Sequence, residues 1–210
     1  MDRRSFVVGA GALMATPALG AVKASRTFRI IRDGTDIGSH ALSAVQGPKG
    51  MELDITIRIA VKVLGITAYR YEMDNREIWK GGQLVSLKSR VHDDGTEDFA
   101  NAKRAGEGLE IDGSRYSGKA PGDAATTSYF VSALLKRSPW ISTQSGKPLP
   151  IQVREERRSG WWATSGGLET KLGYDGRGEW TGCEFDAGGE LAHYEIAAQS
   201  GAFGTIWSAV

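Results

Sequence analysis

Metal binding requires histidine, cysteine or carboxylate side chains at restricted spacings, and this chain offers few such groups. Its three histidines, His40, His92 and His193, do not lie at the spacings at which metal ligands recur. His92 precedes two aspartates that could hold a cation with it, but the Gly95 that follows makes this segment typical of a tight turn. The sequence therefore predicts no metal site and, since it carries no cofactor motif, no cofactor.

Covalent catalysis requires a serine or cysteine beside a base and an orienting group, and the chain has no Gly-x-Ser-x-Gly elbow. Cys183, the only cysteine, shares a strand face with Phe185 and is interpreted as a buried structural residue. Glu72 and Glu77 could perform acid–base chemistry if they were buried together, but strand carboxylates are more often solvated or paired with arginine. We therefore predict no catalytic residues and interpret the chain as a non-enzyme, with a hydrolase or isomerase as an open alternative.

Strands are the elements that would position any functional side chains. In the stretch 51–79, apolar residues alternate with mostly polar ones, which places one set on each face of a strand. The alternation breaks at Gly65 and resumes with Tyr69 and Tyr71. This stretch predicts a long β-hairpin with one apolar face, and a bulge is expected near Asn75, where the alternation slips.

The whole chain follows the same plan, because short glycine-containing turns separate successive strand-like segments. A helix of about two to three turns is predicted from Thr127 to Ser138 by four apolar residues at helical spacing: Phe130, Val131, Leu134 and Leu135. The predicted fold is mainly β: a single-domain curved antiparallel meander or incomplete barrel, with one short helix packed on it or plugging it. The tail after Gly201 is expected to be frayed.

Residues 1–24 are predicted to be a twin-arginine signal peptide rather than part of the fold. A twin-arginine pair precedes an apolar run of roughly ten residues, against the about twenty that a membrane-spanning helix needs. Cleavage is expected after Gly20 or after Ala24, and residues 25–210 are expected to form one β-rich domain. The protein is therefore expected to be periplasmic or otherwise extracytoplasmic, with no transmembrane anchor. An ordinary secretory signal is the alternative.

Several short motifs follow one another in an order that is typical of a bacterial protein family. They are Tyr69-Arg70-Tyr71, Glu77-x-Trp79-x-x-Gly82-x-Leu84, Thr127-Ser128-Tyr129 and Leu172-x-Tyr174-Asp175-x-x-Gly178-x-Trp180. Over most of residues 27–198, the chain resembles the domain-of-unknown-function family 6134, whose members are exported β-meander proteins. The resemblance implies an architecture like the curved or half-closed barrels of periplasmic lipid carriers, which is an analogy of fold alone, and it supplies no catalytic residues. Phe130 stands where members tend to have an aromatic residue such as tryptophan. Segment 160–167 is shorter and richer in glycine than the family pattern, so the resemblance does not decide whether the sheet closes.

A curled sheet would enclose an apolar groove that suits an acyl chain or a similar ligand. The leading hypothesis is therefore a non-enzymatic binder or carrier of an apolar, lipid-like molecule on the concave face. The predicted ligand-binding residues are Ile57, Ile59, Val61, Tyr69, Tyr71, Trp79, Tyr129 and Phe130. The same side chains could instead form only the core, and an envelope accessory or assembly protein that acts through protein contacts is the alternative function. A formal net charge of +1 argues against nucleic-acid binding.

Overall fold

The structure is a computed structural model that describes residues 22–209, so residues 1–21 of the predicted signal peptide lie outside the described part. The first strand begins at Lys23, and Ala24 is already buried. Cleavage after Gly20 would leave this strand intact, whereas cleavage after Ala24 would remove its first two residues. In the described range, no helix is both long enough and apolar enough to cross a membrane.

The first eight strands form a continuous antiparallel meander in which each strand pairs with the next. Their bounds are β1 Lys23–Arg32, β2 Thr35–Gly47, β3 Gly50–Val63, β4 Ile66–Lys80, β5 Gln83–Asp93, β6 Thr96–Ala105, β7 Gly108–Gly113 and β8 Tyr116–Pro121. Tight turns that contain glycine join them, in agreement with the sequence prediction.

Between residues 122 and 151 the chain leaves this meander and forms an insert with a small sheet of its own. The sheet consists of β9 Ala125–Thr126, β10 Trp140–Ile141 and β11 Pro148–Leu149, and a 3-10 helix, Ser132–Lys136, connects β9 to β10. The insert packs against the concave face of the meander, because the hydroxyl groups of Thr126 and Ser128 contact Glu77 of β4.

The last five strands return to the large sheet on the other side of β1. They are β12 Gln152–Glu155, β13 Trp161–Ser165, β14 Lys171–Tyr174, β15 Trp180–Asp186 and β16 Leu191–Ser200. Because β16 pairs with β1, the result is one 13-stranded antiparallel sheet with β8 and β12 at its edges. These two edges do not pair with each other among the described strands, so the predicted meander is confirmed as an open sheet that does not close into a barrel.

The predicted hairpin is confirmed as β3 and β4, which pair along almost their full lengths. The bulge expected near Asn75 does not fall at Asn75, which pairs in register with Ile55 and Ser89. The register shifts lie between Val61 and Lys62 against β4 and, three residues after Asn75, between Ile78 and Trp79 against β5. The alternation slips in the sequence because the apolar face of β4 holds two buried polar side chains, Asn75 and Glu77. A polar residue on a core face therefore looks like a change of face when only the sequence is read.

The helix predicted from Thr127 is wrong in both type and length, because the structure has only the 3-10 helix Ser132–Lys136. The residues before it are not helical: Thr126 ends β9, Thr127 and Ser128 form a turn, and Tyr129 has a φ angle of 36°. Thr126 Oγ1 lies 3.2 Å from a carboxylate oxygen of Glu77, and the backbone N–H of Thr143 donates to Thr127 Oγ1 at 2.9 Å. These tertiary hydrogen bonds outweigh the weak local preference for helix in the segment.

The tail that the sequence predicted to be frayed forms a short helix, α1 Phe203–Ser208. Glu179 accepts hydrogen bonds from the backbone N–H groups of Phe203 at 3.1 Å and Gly204 at 2.5 Å, and it pairs with buried Arg26 at 3.4 Å. The side chain of Phe203 is buried. The helix therefore completes the core at one end of the sheet.

Candidate ligand-binding groove

An apolar cavity opens between the concave face of the hairpin and the strands that follow the insert. Its volume is about 290 Å³. Five of the predicted ligand-binding residues line it: Ile57, Ile59, Tyr69, Tyr71 and Tyr129. The opposite wall comes from the last third of the chain, and includes Leu168, Thr170, Cys183, Phe185 and Tyr194.

A second cavity, of about 550 Å³, continues the first one towards the free end of the hairpin. Ile59, Tyr69, Phe185 and Asp186 line both cavities, so the two lie side by side. Val61, a sixth predicted residue, lines this outer part. The two cavities together are called the groove below.

The pairing of β3 with β4 explains why these side chains meet. Ile59 lies opposite Tyr71 and Val61 lies opposite Tyr69, and directly opposed residues on an antiparallel pair project from the same face. The far wall reaches them because β16, which carries Tyr194, pairs with β1. The groove is therefore a product of the curvature of the sheet rather than of any single loop.

Hydrogen-bonding groups are gathered at one side of the groove. The hydroxyl of Tyr69 donates to Asp93 Oδ1 at 2.9 Å, and Gln144 Nε2 donates to Asp93 Oδ2 at 3.2 Å. Burial, together with the hydrogen bond to Asp93, raises the pKa of Tyr69, and burial also raises the pKa of Tyr71 and of Tyr129. The tyrosine wall is therefore neutral, and its hydroxyl groups can orient a ligand without adding charge.

Cys183 lies in the groove wall but is poorly suited to nucleophilic chemistry. Burial raises the pKa of its thiol to about 12, and its Sγ lies 3.0 Å from Thr170 Oγ1. A thiol with such a pKa stays protonated, and the thiolate is the reactive form. Within residues 22–209, no group of three histidine, cysteine, aspartate or glutamate side chains is placed to hold a metal ion.

Two predicted ligand-binding residues, Trp79 and Phe130, lie outside the groove. Their relative exposures are 0% and 1%, and their ring centroids are 6.0 Å apart. Both rings also contact Trp207 near the end of α1, with centroid distances of 5.3 and 5.5 Å. At this end of the sheet the side chains form packed core, which is the alternative that the sequence left open.

Sequence reasoning missed Gln144, Phe185 and Tyr194 as groove residues. All three are distant from the hairpin along the chain, and they approach it only through the pairing of β16 with β1 and the placement of the insert. The common face of Cys183 and Phe185 was visible in the sequence. Nothing in the sequence indicated which strands that face would meet.

Glu77 is a second feature of the concave face, because its carboxyl is fully buried with no cation beside it among the described residues. Asn75 Nδ2 donates to Oε1 at 2.9 Å, and Trp79 Nε1 donates to Oε2 at 2.7 Å. The hydroxyl oxygens of Thr126 and Ser128 each lie 3.2 Å from Oε2, and they are 2.6 Å from each other. Burial raises the pKa of Glu77, although these hydrogen bonds oppose the shift.

The two carboxylates considered for acid–base chemistry are not brought together. Glu72 lies on the other face of β4, where it is partly exposed and pairs with Arg70 at 3.6 Å. Glu77 is enclosed by the core and the insert, away from the groove residues. Glu77 therefore holds the insert on the sheet rather than facing a substrate.

Comparison with known proteins agrees with this architecture. A family model described as "Domain of unknown function (DUF6134)" matches residues 28–197. The chain is also similar in structure to a protein described as a beta-barrel-like protein of domain of unknown function DUF1849 from Brucella abortus, with a TM-score of 0.56. That likeness covers 85% of this chain and 97% of the other at 9% sequence identity, so it concerns the fold alone. No curated protein matches the chain.

Proposed function

We propose that this chain, which belongs to the DUF6134 family of domains of unknown function, is a non-enzymatic binder or carrier of an apolar, lipid-like molecule. The observation that carries the proposal is the groove of two adjacent cavities on the concave face. Six of the eight residues predicted from the sequence to bind a ligand line it. We place the protein outside the cytoplasm, on the strength of the twin-arginine pattern in residues 1–24.

The dimensions and chemistry of the groove support an elongated apolar ligand. Its outer part, at about 550 Å³, lies within the roughly 300–1,000 Å³ that is usual for small-molecule sites. Ile57, Ile59 and Val61 form an aliphatic floor along β3, and Tyr69 and Phe185 flank the opening. A hydrocarbon chain would bury this apolar surface, at a gain of roughly 25 cal/mol for each Å² removed from water. The polar end of such a ligand would contact the hydrogen-bonded groups of Tyr69, Asp93 and Gln144.

Filling the groove is expected to abolish ligand binding while leaving the fold intact. The substitution Ile59→Trp adds a large ring where the two cavities join. Native mass spectrometry of the protein, purified with its co-purifying lipids, should show a bound apolar species on the wild type. We expect its occupancy to fall by about tenfold or more in the variant, which corresponds to about 1.4 kcal/mol of lost affinity.

Leu191→Trp is the matched control for this experiment. Leu191 belongs to β16, is 63% exposed and lines neither cavity, so the same kind of substitution there should leave occupancy unchanged. Circular dichroism during thermal unfolding would establish that both variants fold. A wild-type protein without any bound species, or equal occupancy in wild type and Ile59→Trp, would contradict the carrier proposal.

A further inference from the structure

The hairpin of β3 and β4 extends beyond both of its neighbours in the sheet. The pairing of β2 with β3 ends at Gly38 and Ile59, and the pairing of β4 with β5 ends at Tyr71 and Asp93. Residues 60–69 therefore pair only within the hairpin. At about 3.3 Å for each residue, this projecting tip reaches roughly 15 Å past its last ladder partners, and Thr35, Asp36 and Ile37 of β2 still flank its base at Ala60, Val61 and Lys62.

The end of the projecting tip exposes large apolar side chains. Leu64 is 98% exposed and Ile66 is 73% exposed, which makes them the two most exposed large apolar residues among those whose side-chain exposure the structure describes. Scattered single apolar residues are ordinary on a protein surface. Here two lie together at the furthest point of a projection, next to the outer part of the groove, which Val61, Ala68 and Tyr69 line.

Leucine is also an unfavourable residue for the turn that it occupies. Leu64 and Gly65 have φ angles of 51° and 82°, so both are left-handed, as a two-residue hairpin turn of this kind requires. The equivalent turns elsewhere are Asp33-Gly34 and Asp94-Gly95, whose aspartates have φ angles of 46° and 45°. Aspartate tolerates that conformation, whereas leucine incurs local strain of about 1–2 kcal/mol.

Leu64 thus opposes folding twice, through backbone strain and through exposure to water, and neither cost is offset by contacts within the chain. A residue that breaks local rules in this way points to a role outside the fold. Two apolar side chains are too few for a specific protein interface, which buries about 800 Å² on each partner. The hydrocarbon boundary of a lipid bilayer accepts such side chains without a complementary shape.

The charges near the projecting tip are compatible with a lipid surface. Between Ile59 and Tyr71 the sequence has two charged residues, Lys62 and Arg70, and both are cationic. Asp33, Asp36 and Glu190 line a neighbouring cavity together with Lys62, Arg70 pairs with Glu72 at 3.6 Å, and Asp93 and Asp94 lie beside Tyr69 and Arg70. These carboxylates offset the two cations, so electrostatic attraction contributes little. The apolar side chains have to supply most of the binding.

We propose that the projecting tip inserts Leu64 and Ile66 into the interface of a lipid bilayer and so brings the mouth of the groove to the membrane. This inference rests on the proposed carrier function, because membrane contact would serve to load or unload the groove. It extends that function by naming a lipid surface as the partner. The insertion is expected to be shallow and reversible, because two side chains give far less membrane affinity than a spanning helix.

Flotation with lipid vesicles tests the insertion directly. The purified protein is mixed with vesicles of phosphatidylcholine and phosphatidylglycerol, and the fraction that floats gives a partition coefficient. We expect the double variant Leu64→Asn/Ile66→Thr to lower this coefficient by about tenfold or more. Asparagine suits the left-handed turn and threonine suits a strand, so the variant should fold at least as well as the wild type.

Ile196→Thr is the matched control, because Ile196 is 40% exposed on β16, where it pairs with Phe28 away from the projecting tip. It should float like the wild type. Equal flotation of wild type and double variant, or no flotation of the wild type, would overturn the proposal. So would loss of a wild-type dimer in the double variant on light scattering, since the tip would then be a contact between copies.

Native mass spectrometry on the same samples separates this proposal from the carrier proposal. The double variant should keep the bound apolar species, because neither Leu64 nor Ile66 lines the groove. A protein that floats through its tip but carries no ligand would support the membrane contact and contradict the carrier. A wild-type protein that carries ligand but floats no better than the double variant would support the carrier and contradict the membrane contact.

Discussion

Glu77→Ala is expected to lower the free energy of unfolding by about 4 kcal/mol. The substitution removes the acceptor for Asn75 Nδ2, for Trp79 Nε1 and for one of the two hydroxyl groups of Thr126 and Ser128. Each buried donor that loses its partner costs about 1–3 kcal/mol, and the site is closed by the core and the insert. Urea unfolding, followed by tryptophan fluorescence, would measure the change.

Glu77→Gln separates the hydrogen bonds from the charge. The side-chain oxygen of glutamine can still accept from Trp79 Nε1, and its amide group can donate to Asn75 Oδ1, which is buried without a partner, once the Asn75 amide turns over. The expected loss is therefore only about 1 kcal/mol. Glu72→Ala, on the exposed face of the same strand, is expected to change stability by about 0.5 kcal/mol or less. A loss for Glu77→Ala no larger than that of Glu72→Ala would contradict the role of the buried carboxyl.

The raised pKa of Glu77 also sets the direction of its pH dependence. As the pH rises above the ordinary glutamate value of 4.5, the unfolded chain loses this proton while the folded protein still holds it. Stability from Glu77 is therefore present at low pH and declines as the pH rises towards the folded pKa. The difference in stability between wild type and Glu77→Gln should decline in the same direction.

Mild acid is expected to destabilise the protein through His40, and His40→Phe is expected to remove that effect. Burial lowers the pKa of His40 from 6.5 to about 3, because the ring is enclosed by Phe28, Trp180 and Tyr194. Below pH 6.5 this histidine is protonated in the unfolded chain, whereas in the folded protein it stays neutral down to about pH 3. The contribution of neutral His40 to the free energy of unfolding is therefore complete above pH 6.5 and is lost as the pH falls towards 3. Well below pH 6.5, the loss is about 1.4 kcal/mol for each pH unit.

The measurement is urea unfolding of wild type and His40→Phe at a series of pH values. Between about pH 7 and pH 5 the wild type should lose about 2 kcal/mol relative to the variant. Tyr194→Phe is the control, since it removes the hydroxyl that lies 3.3 Å from His40 Nδ1 but keeps the ring that buries it. That variant should keep the wild-type pH dependence. Parallel stability curves for wild type and His40→Phe would contradict a neutral buried imidazole.

The amino-acid sequence determined the strands because their signal is local. The alternation along β3 and β4 and the glycine turns fix which residues share a face, and this requires no knowledge of distant contacts. The same signal placed Ile57, Ile59, Val61, Tyr69 and Tyr71 together, and these residues line the groove. A meander also limits the topology, since each strand pairs with its neighbour in the chain.

The tertiary structure alone decided what lies opposite that face. Pairing of β16 with β1 brings Phe185 and Tyr194 to the groove, and it leaves the sheet open between β8 and β12. Helical spacing from Phe130 onwards predicted a helix, but side-chain hydrogen bonds to the sheet hold the preceding residues in strand and turn conformations. Such long-range pairings have no local signature, because their free energy depends on groups that are distant in the chain.

The same distinction applies to the two polar residues at the centre of the fold. From the sequence, Glu77 was a strand carboxylate expected to be solvated, and His40 was one of three unpaired histidines. The sequence gives their chemical identity and their positions on the strands. Only the tertiary structure determines that both are buried: Glu77 lies under the insert, and His40 lies among Phe28, Trp180 and Tyr194 of the sheet. Burial is what shifts their pKa values.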